Sequence, residues 1–336
     1  AARRKLPLLF LGAAPNIIYK EEFYMEKHLK RALSILFCVT LMLNLAVVAG
    51  AVEVPAPGSG GGLEEPSAAE EQALTEGSAE NIAGPVKTFE ALKKAIESAT
   101  GTKEKPAEIQ VEGMIESTGK ITLKDGQYVK LTGVGEGENG ILRSSKYSGK
   151  GDMLDIGDNN DKNVCSLTME NFIVDGGAIW KDGAGSANAG VSAGNSSALS
   201  VRGKATLVLG EGAKVRNNVK DGGGAGIWVV GTLILNGGEI TGNAAGGSNA
   251  GGGVYLKNSK STLIVNDGEI TGNAAGGAGG GVQVNDGGTV KMNGGSITGN
   301  TAAGTTGNLA LNSGTLKIGG SIGKVGLTLS LAANGT

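Results

Sequence analysis

Histidine and cysteine are almost missing from this chain. Its one histidine is His28, and its two cysteines are Cys38 and Cys165. His28 and Cys38 fall in an N-terminal stretch that reads as an export signal, so Cys165 alone remains in the exported part. One cysteine closes no disulfide, and without histidine there is no imidazole proton shuttle, no His-assisted nucleophile and no His/Cys zinc site. Cys165 itself falls on an inward strand position and reads as a small buried apolar side chain. Positive charge is also scarce. Residues 1–51 hold seven basic and three acidic residues; without them 23 basic residues face 29 acidic ones, a net charge of −6. Such a balance attracts neither nucleic acid nor anionic lipid.

What the chain does have is a repeat. Between Lys204 and Ile322 it runs through ATLVLGEGAKVRNN, GTLILNGGEITGN, STLIVNDGEITGN, GTVKMNGGSITGN and GTLKIGGSI. The closing asparagines Asn218, Asn243, Asn273 and Asn300 set periods of 25, 30 and 27 residues, the range of a solenoid in which each unit covers its neighbour's apolar edge. One column of the repeat reads Leu207, Leu233, Leu263, Val290, Leu316; two residues on, another reads Leu209, Leu235, Val265, Met292, Ile318. Between them stand Val208, Ile234, Ile264, Lys291 and Lys317. Two lysines turn that middle column to water, so the period is two and the segment is a strand with one buried face.

A second apolar column, Val215, Ile240, Ile270, Ile297, Ile322, follows an Asn-Gly-Gly or Asp-Gly break. A third set lies beyond a Gly/Ala-rich stretch, as Leu199/Val201, Ile227/Val229, Val254/Leu256, Val282/Val284 and Leu309/Leu311. Three short strands per period and no helical pattern predict an all-β chain, a right-handed parallel β-helix of about nine turns. Ordering each turn's backbone costs more than its own few apolar side chains return, so the turns stand only when stacked. Asn236, Asn266 and Asn293 recur at one turn and are placed to form a hydrogen-bonded ladder. The glycine runs at 222–226, 251–253 and 279–281 read as turns, since no helix follows them to cradle a phosphate.

Upstream, the apolar run 32–48 is preceded by Lys27, Lys30 and Arg31 and followed by Ala49-Gly50-Ala51. That is the pattern of a secretory signal peptide, residues 25–51, cut after Ala51. Residues 1–24 fit no export logic; Lys20-Glu21-Glu22, two codons before Met25, fits a translated ribosome-binding sequence. Residues 52–85 are Glu-rich, with Pro, Gly and Ser but no Lys or Arg, and read as a disordered acidic linker. Thr88 then caps a helix whose apolar stripe is Phe89, Leu92 and Ile96, fit to seal one end of the core. Less regular strands follow at Ile109/Val111, Ile121/Leu123, Val129/Leu131, Leu154/Ile156, Cys165/Leu167/Met169 and Phe172/Val174. The chain stops at Thr336 with no capping element, which reads as a fragment of something longer.

TFEALKKAIESA, KITLKDGQYVKLTGVG, LTMENFIVDGG and the GGEITGNAA…GGGVYL repeats together resemble the pectin-lyase-like, right-handed β-helix superfamily over about residues 86–336. The resemblance implies a fold more than an activity, because that superfamily includes polysaccharide lyases and hydrolases, adhesins, autotransporter passengers and bacterial surface proteins. With no proline after Pro106 the lyase Arg-x-Pro-x-x-Arg element is absent, as are the Gly-His-Gly and Arg-Ile-Lys elements of polygalacturonase-like hydrolases.

Two constellations remain as candidate sites. The outward position of the third strand reads Ser200, Trp228, Tyr255, Gln283, Ala310, which sets Trp228 and Tyr255 on adjacent turns about 4.8 Å apart. With Lys257 and Asn285 beside them, aromatic rings and polar groups suit a sugar, one stacking on C–H faces and the other bonding hydroxyls; Trp and Tyr also simply favour strand surfaces. The second is acidic. Asp152, Asp155, Asp158 and Asp161 cluster in GDMLDIGDNNDKN, with Asp175 beyond. They read as a solvated turn, with Ca²⁺ held by Asp152, Asp158 and Asp161, or an acid/nucleophile pair, as the sharper readings. No other cofactor is expected. The expectation is a secreted or cell-surface bacterial binding scaffold that contacts glycans or surface proteins through an outer sheet face, with no membrane insertion once the signal is cut. Its rivals are a polysaccharide lyase or glycoside hydrolase, against which the missing histidine and motifs weigh, and a passive spacer.

Overall fold

The computed structural model describes residues 84–147, 151–157, 164–181, 184–186, 196–247, 250–319 and 326–327. Residues 1–24, the stretch 25–51 that reads as a signal peptide, nearly all of the stretch 52–85 that reads as a linker, Ile322, Asp158 and Asp161 lie outside them.

The described chain is built of β-strands, nearly all in parallel sheets, with one helix, Phe89–Glu97. Thr88 takes an extended conformation and its side chain accepts from the Ala91 N–H at 3.3 Å, satisfying one of the first-turn donors. Phe89, Leu92, Ala95 and Ile96 are the helix's buried face and join the same apolar core as the strands that follow. Its last turn is held from outside: Gln127 Nε2 donates to the carbonyls of Ile96, Glu97 and Ala99. Orphan carbonyls at a helix end otherwise need water. Among the described residues no helix is long and apolar enough to cross a membrane.

Strand pairing follows the repeat column by column. Leu207 pairs with Leu233, Leu233 with Leu263, Leu263 with Val290 and Val290 with Leu316, all in parallel register. These inward residues up to Val290 are fully buried, whereas Val208, Ile234, Ile264 and Lys291 between them are half-buried and Lys317 is exposed. A seven-stranded sheet, Ile121–Leu123, Leu154–Ile156, Leu199–Val201, Ile227–Val229, Val254–Leu256, Val282–Val284 and Leu309–Leu311, stacks the third apolar set in the same manner. The inward side chains of both sheets meet in one apolar cluster, with Cys165 at 1% exposure among them.

Two features differ from the sequence reading. The Asn-Gly-Gly and Asn-Asp-Gly breaks do not always end a strand. Thr232–Thr241 and Thr262–Thr271 each run ten residues through the break, absorbing it as a register shift near Asn236 with Gly237 at φ 117° and Gly268 at φ 97°. The first and second apolar segments therefore share one fourteen-stranded sheet. A further ladder of two-residue strands, Val219–Lys220, Ala244–Ala245, Ala274–Ala275 and Thr301–Ala302, lies where the sequence shows no apolar alternation. After Ile297 the second apolar column continues with Leu327.

Asparagine links successive repeats twice. On the surface Asn266 Nδ2 donates to Asn236 Oδ1 and Asn293 Nδ2 to Asn266 Oδ1, both at 2.8 Å, the ladder expected from the recurrence. The closing asparagines form a second ladder, and this one is buried. Nδ2 of Asn218, Asn243, Asn273 and Asn300 donates in turn to Oδ1 of Asn243, Asn273, Asn300 and Asn308 at 2.9–3.1 Å.

Candidate functional site on the outer face of the seven-stranded sheet

Inward residues of the seven-stranded sheet alternate with an outward row, Thr122, Asp155, Ser200, Trp228, Tyr255, Gln283 and Ala310, each paired in register with the next. Strand pairing alone thus places Trp228 beside Tyr255. Their ring centroids are 4.7 Å apart at 33°, within the range of favourable aromatic pairs. The Lys220 ammonium sits 4.8 Å from the Trp228 ring centre.

The row is less open than its sequence implied. Trp228 is partly exposed, but Tyr255 is only 5% exposed and Gln283 is fully buried. The Gly/Ala-rich stretches before each strand fold closely onto the neighbouring repeat: a Cβ at Gly224 would stand 3.0 Å from the Tyr255 Cβ, and one at Gly251 would stand 3.1 Å from that of Gln283. Tyr255 and Gln283 are therefore supports and not contact surface. Gln283 Nε2 donates to Asn285 Oδ1 at 3.0 Å and Asn285 Nδ2 donates to the Tyr255 hydroxyl at 2.8 Å, a relay that fixes the tyrosine ring under Trp228. Lys257 follows the Tyr255 strand half-buried, without an ion-pair partner among the described residues.

Toward the N-terminal repeats the row becomes ionic. Asp155 points outward as its alternation requires, yet it is buried, because Lys120 Nζ reaches it at 2.7 Å and Arg202 at 3.4 Å. Asp152 is buried beside it. It accepts from the Ser197 N–H at 2.6 Å, from the Ser200 hydroxyl and from Arg202 at 3.3 Å. Burial raises the Asp152 carboxyl above the usual carboxylate range; the Ser200 hydrogen bond opposes this, and the neighbouring Asp155 charge adds to it. Both carboxylates are thus spent inside the protein. Asp175, on Ile173–Asp175 of the fourteen-stranded sheet, does not join them; it holds Arg216 at 2.6 Å. Among the described residues no three acidic, histidine or cysteine side chains gather to hold a metal ion.

Ser197 is the hub that sequence reading missed. Its carbonyl accepts from Arg143 Nη2 and its hydroxyl from Lys220 Nζ, both at 3.1 Å. The Arg143 guanidinium lies 4.6 Å over the Tyr147 ring, and the Tyr147 hydroxyl donates to the Asp152 carbonyl at 2.9 Å. Burial pushes that phenol up to about 12 and pulls the Arg143 and Lys220 cations down. One signal for this end of the site was present in the repeats. Lys220 occupies a ladder position that holds Ala245, Ala275 and Ala302 in the following repeats, and a lysine in an alanine column calls for a reason.

Comparison with known proteins finds no family model that matches the chain, no similar curated protein and no similar solved structure.

Proposed function

We propose that this chain is an exported binding scaffold, secreted or held at a cell surface, that meets glycans through the outer face of its seven-stranded sheet. The scaffold we infer is a right-handed parallel β-helix with three main strands per turn, closed at its N-terminal end by the Phe89–Glu97 helix and akin to bacterial surface proteins of the pectin-lyase-like superfamily. Parallel in-register pairing of five successive repeats supports that reading, as does the one core shared by both large sheets. The export reading rests on the 25–51 signal pattern. Polysaccharide is the favoured partner, a surface protein the second.

The observation that carries the glycan reading is Trp228: a partly exposed indole, backed by Tyr255 at 4.7 Å and with the Lys220 ammonium over its ring at 4.8 Å, on a paired strand. Rigid aromatic platforms bind with little ordering cost. Hydrolysis or lyase chemistry is the rival reading; against it stands the engagement of Asp152 and Asp155 with Ser197, Ser200, Arg202 and Lys120. A glycan array probed with residues 52–336 and with Trp228→Ala tests the proposal. At least one polysaccharide class is expected to bind, with Trp228→Ala weakening it about tenfold or more, the scale of a binding hot spot. Binding retained in full by Trp228→Ala would move the binding surface off this face, no binding to any glycan would leave a passive spacer, and steady release of oligosaccharide would favour the enzyme.

A further inference from the structure

Around Asp152, Asp155 and Ser197 the charges do not balance. Four cations, Lys120, Arg143, Arg202 and Lys220, surround two carboxylates. Lys120 and Arg202 take both carboxylates. Arg143 and Lys220 are left with neutral acceptors on Ser197 and with aromatic rings, and neither has a carboxylate within ion-pair distance among the described residues. Lys220 is only 8% exposed. The Asp152 charge supports both only from beyond ion-pair distance, and a cation removed from water without a counter-charge in contact is costly. Lys220 is also the one non-alanine in its ladder column.

These cations converge. Both donate to Ser197, which is hydrogen-bonded through its N–H to Asp152 and so held in position. Lys220 simultaneously lies against Trp228. A ligand on the indole therefore has the buried Lys220 ammonium beside it, on the side of the N-terminal repeats, and Arg143 is tied to that lysine through Ser197. We propose that Arg143 and Lys220 form a subsite for an oxyanion substituent of the bound sugar, a sulfate ester or a carboxylate, so that the face selects acidic glycans over neutral ones. The proposal rests on the glycan reading and names the ligand class of that same face. Arg143 offers a planar fork and Lys220 a point charge, and charge-assisted bonds of this kind are about twice as strong as neutral ones.

The test compares one backbone in three forms: dextran, carboxymethyl dextran and dextran sulfate, measured by immobilised-polymer binding at 150 mM salt. At least one charged form is expected to bind about tenfold more tightly than dextran, with the carboxymethyl and sulfate arms separating the two sources of oxyanion. Lys220→Met and Arg143→Met, which keep much of each apolar stem, should each lose most of that preference, while Lys220→Arg keeps it. Lys291→Met/Lys317→Met, on the other sheet, should leave it unchanged. If Arg143→Met fails to fold by circular dichroism, the Lys220→Met and Lys220→Arg pair decides. The proposal is overturned if dextran binds as well as its charged forms, if none binds, if Lys220→Met retains the preference, or if the distant lysine pair accounts for it. A neutral glycan bound through Trp228 on the array would sink this proposal and leave the wider glycan reading standing.

Discussion

Asn273→Ala is expected to destabilise the protein by about 3 kcal/mol, far more than a typical polar substitution. Asn273 is 1% exposed and sits mid-ladder. Its Nδ2 donates to Asn300 Oδ1 and to the carbonyls of Ile240 and Thr271, and its Oδ1 accepts from both the N–H and Nδ2 of Asn243. Alanine removes all five bonds and leaves the Asn243 N–H buried with no acceptor. One orphaned buried donor costs about 1–3 kcal/mol, and the lost bonds add to it. For a domain of this size the melting midpoint should fall by roughly 6–12 °C. Asn266→Ala is the matched control. It breaks two bonds of the surface ladder, where water replaces them, and should cost below about 1 kcal/mol. Equal shifts for the two variants would show that the buried ladder does not hold the repeats together.

Gly280→Ala should be of similar size for a different reason. A Cβ at Gly280 would overlap the Thr301 carbonyl oxygen, and one at Gly252 would overlap that of Ala274, the residue paired with Thr301 one repeat earlier. Backbone cannot rotate aside as a side chain can. The flanking bonds, Gly253 N–H to the Gly280 carbonyl and Gly281 N–H to the Gly307 carbonyl, would have to lengthen. A loss of about 3 kcal/mol is expected in urea unfolding, at the upper end for overpacking. Gly222→Ala, in an equivalent glycine run but with only the Lys220 Cε at 3.6 Å, should stay within about 0.5 kcal/mol. An unchanged midpoint for Gly280→Ala would mean that the glycine runs are loose turns.

These two residues mark where the sequence was readable and where it was not. The large columns were legible because burial alternates with period two, and Lys291 and Lys317 could stand only on the wet side. The Phe89–Glu97 helix was legible from its cap and stripe. The surface asparagine ladder followed from recurrence at one turn, and the same recurrence of Asn218, Asn243, Asn273 and Asn300 was in view without its burial being evident. The two-residue alanine strands carry no hydrophobic alternation, so no pattern marks them. Tyr255 and Gln283 were expected in the open; the glycine stretches that read as turns pack onto them, because only a residue without Cβ comes so near a neighbouring backbone. Asp155, read as part of a solvated turn, stands outward on its strand, but it is buried by Lys120 and Arg202, 35 and 47 residues away. Such long-range pairing leaves no trace in local sequence. The same holds for Arg143, Ser197 and Lys220, three separate stretches that meet at one point.

The central claim, that ligand is met on the indole of Trp228, has one direct measurement. The chain has two tryptophans, so Trp180→Phe leaves Trp228 as the sole indole emitter. Titrating that variant with a polysaccharide found to bind should shift Trp228 emission saturably, with a midpoint equal to the dissociation constant from an independent binding assay. Saturable binding with the emission of Trp228 unchanged would contradict the claim and move the binding surface elsewhere on the molecule.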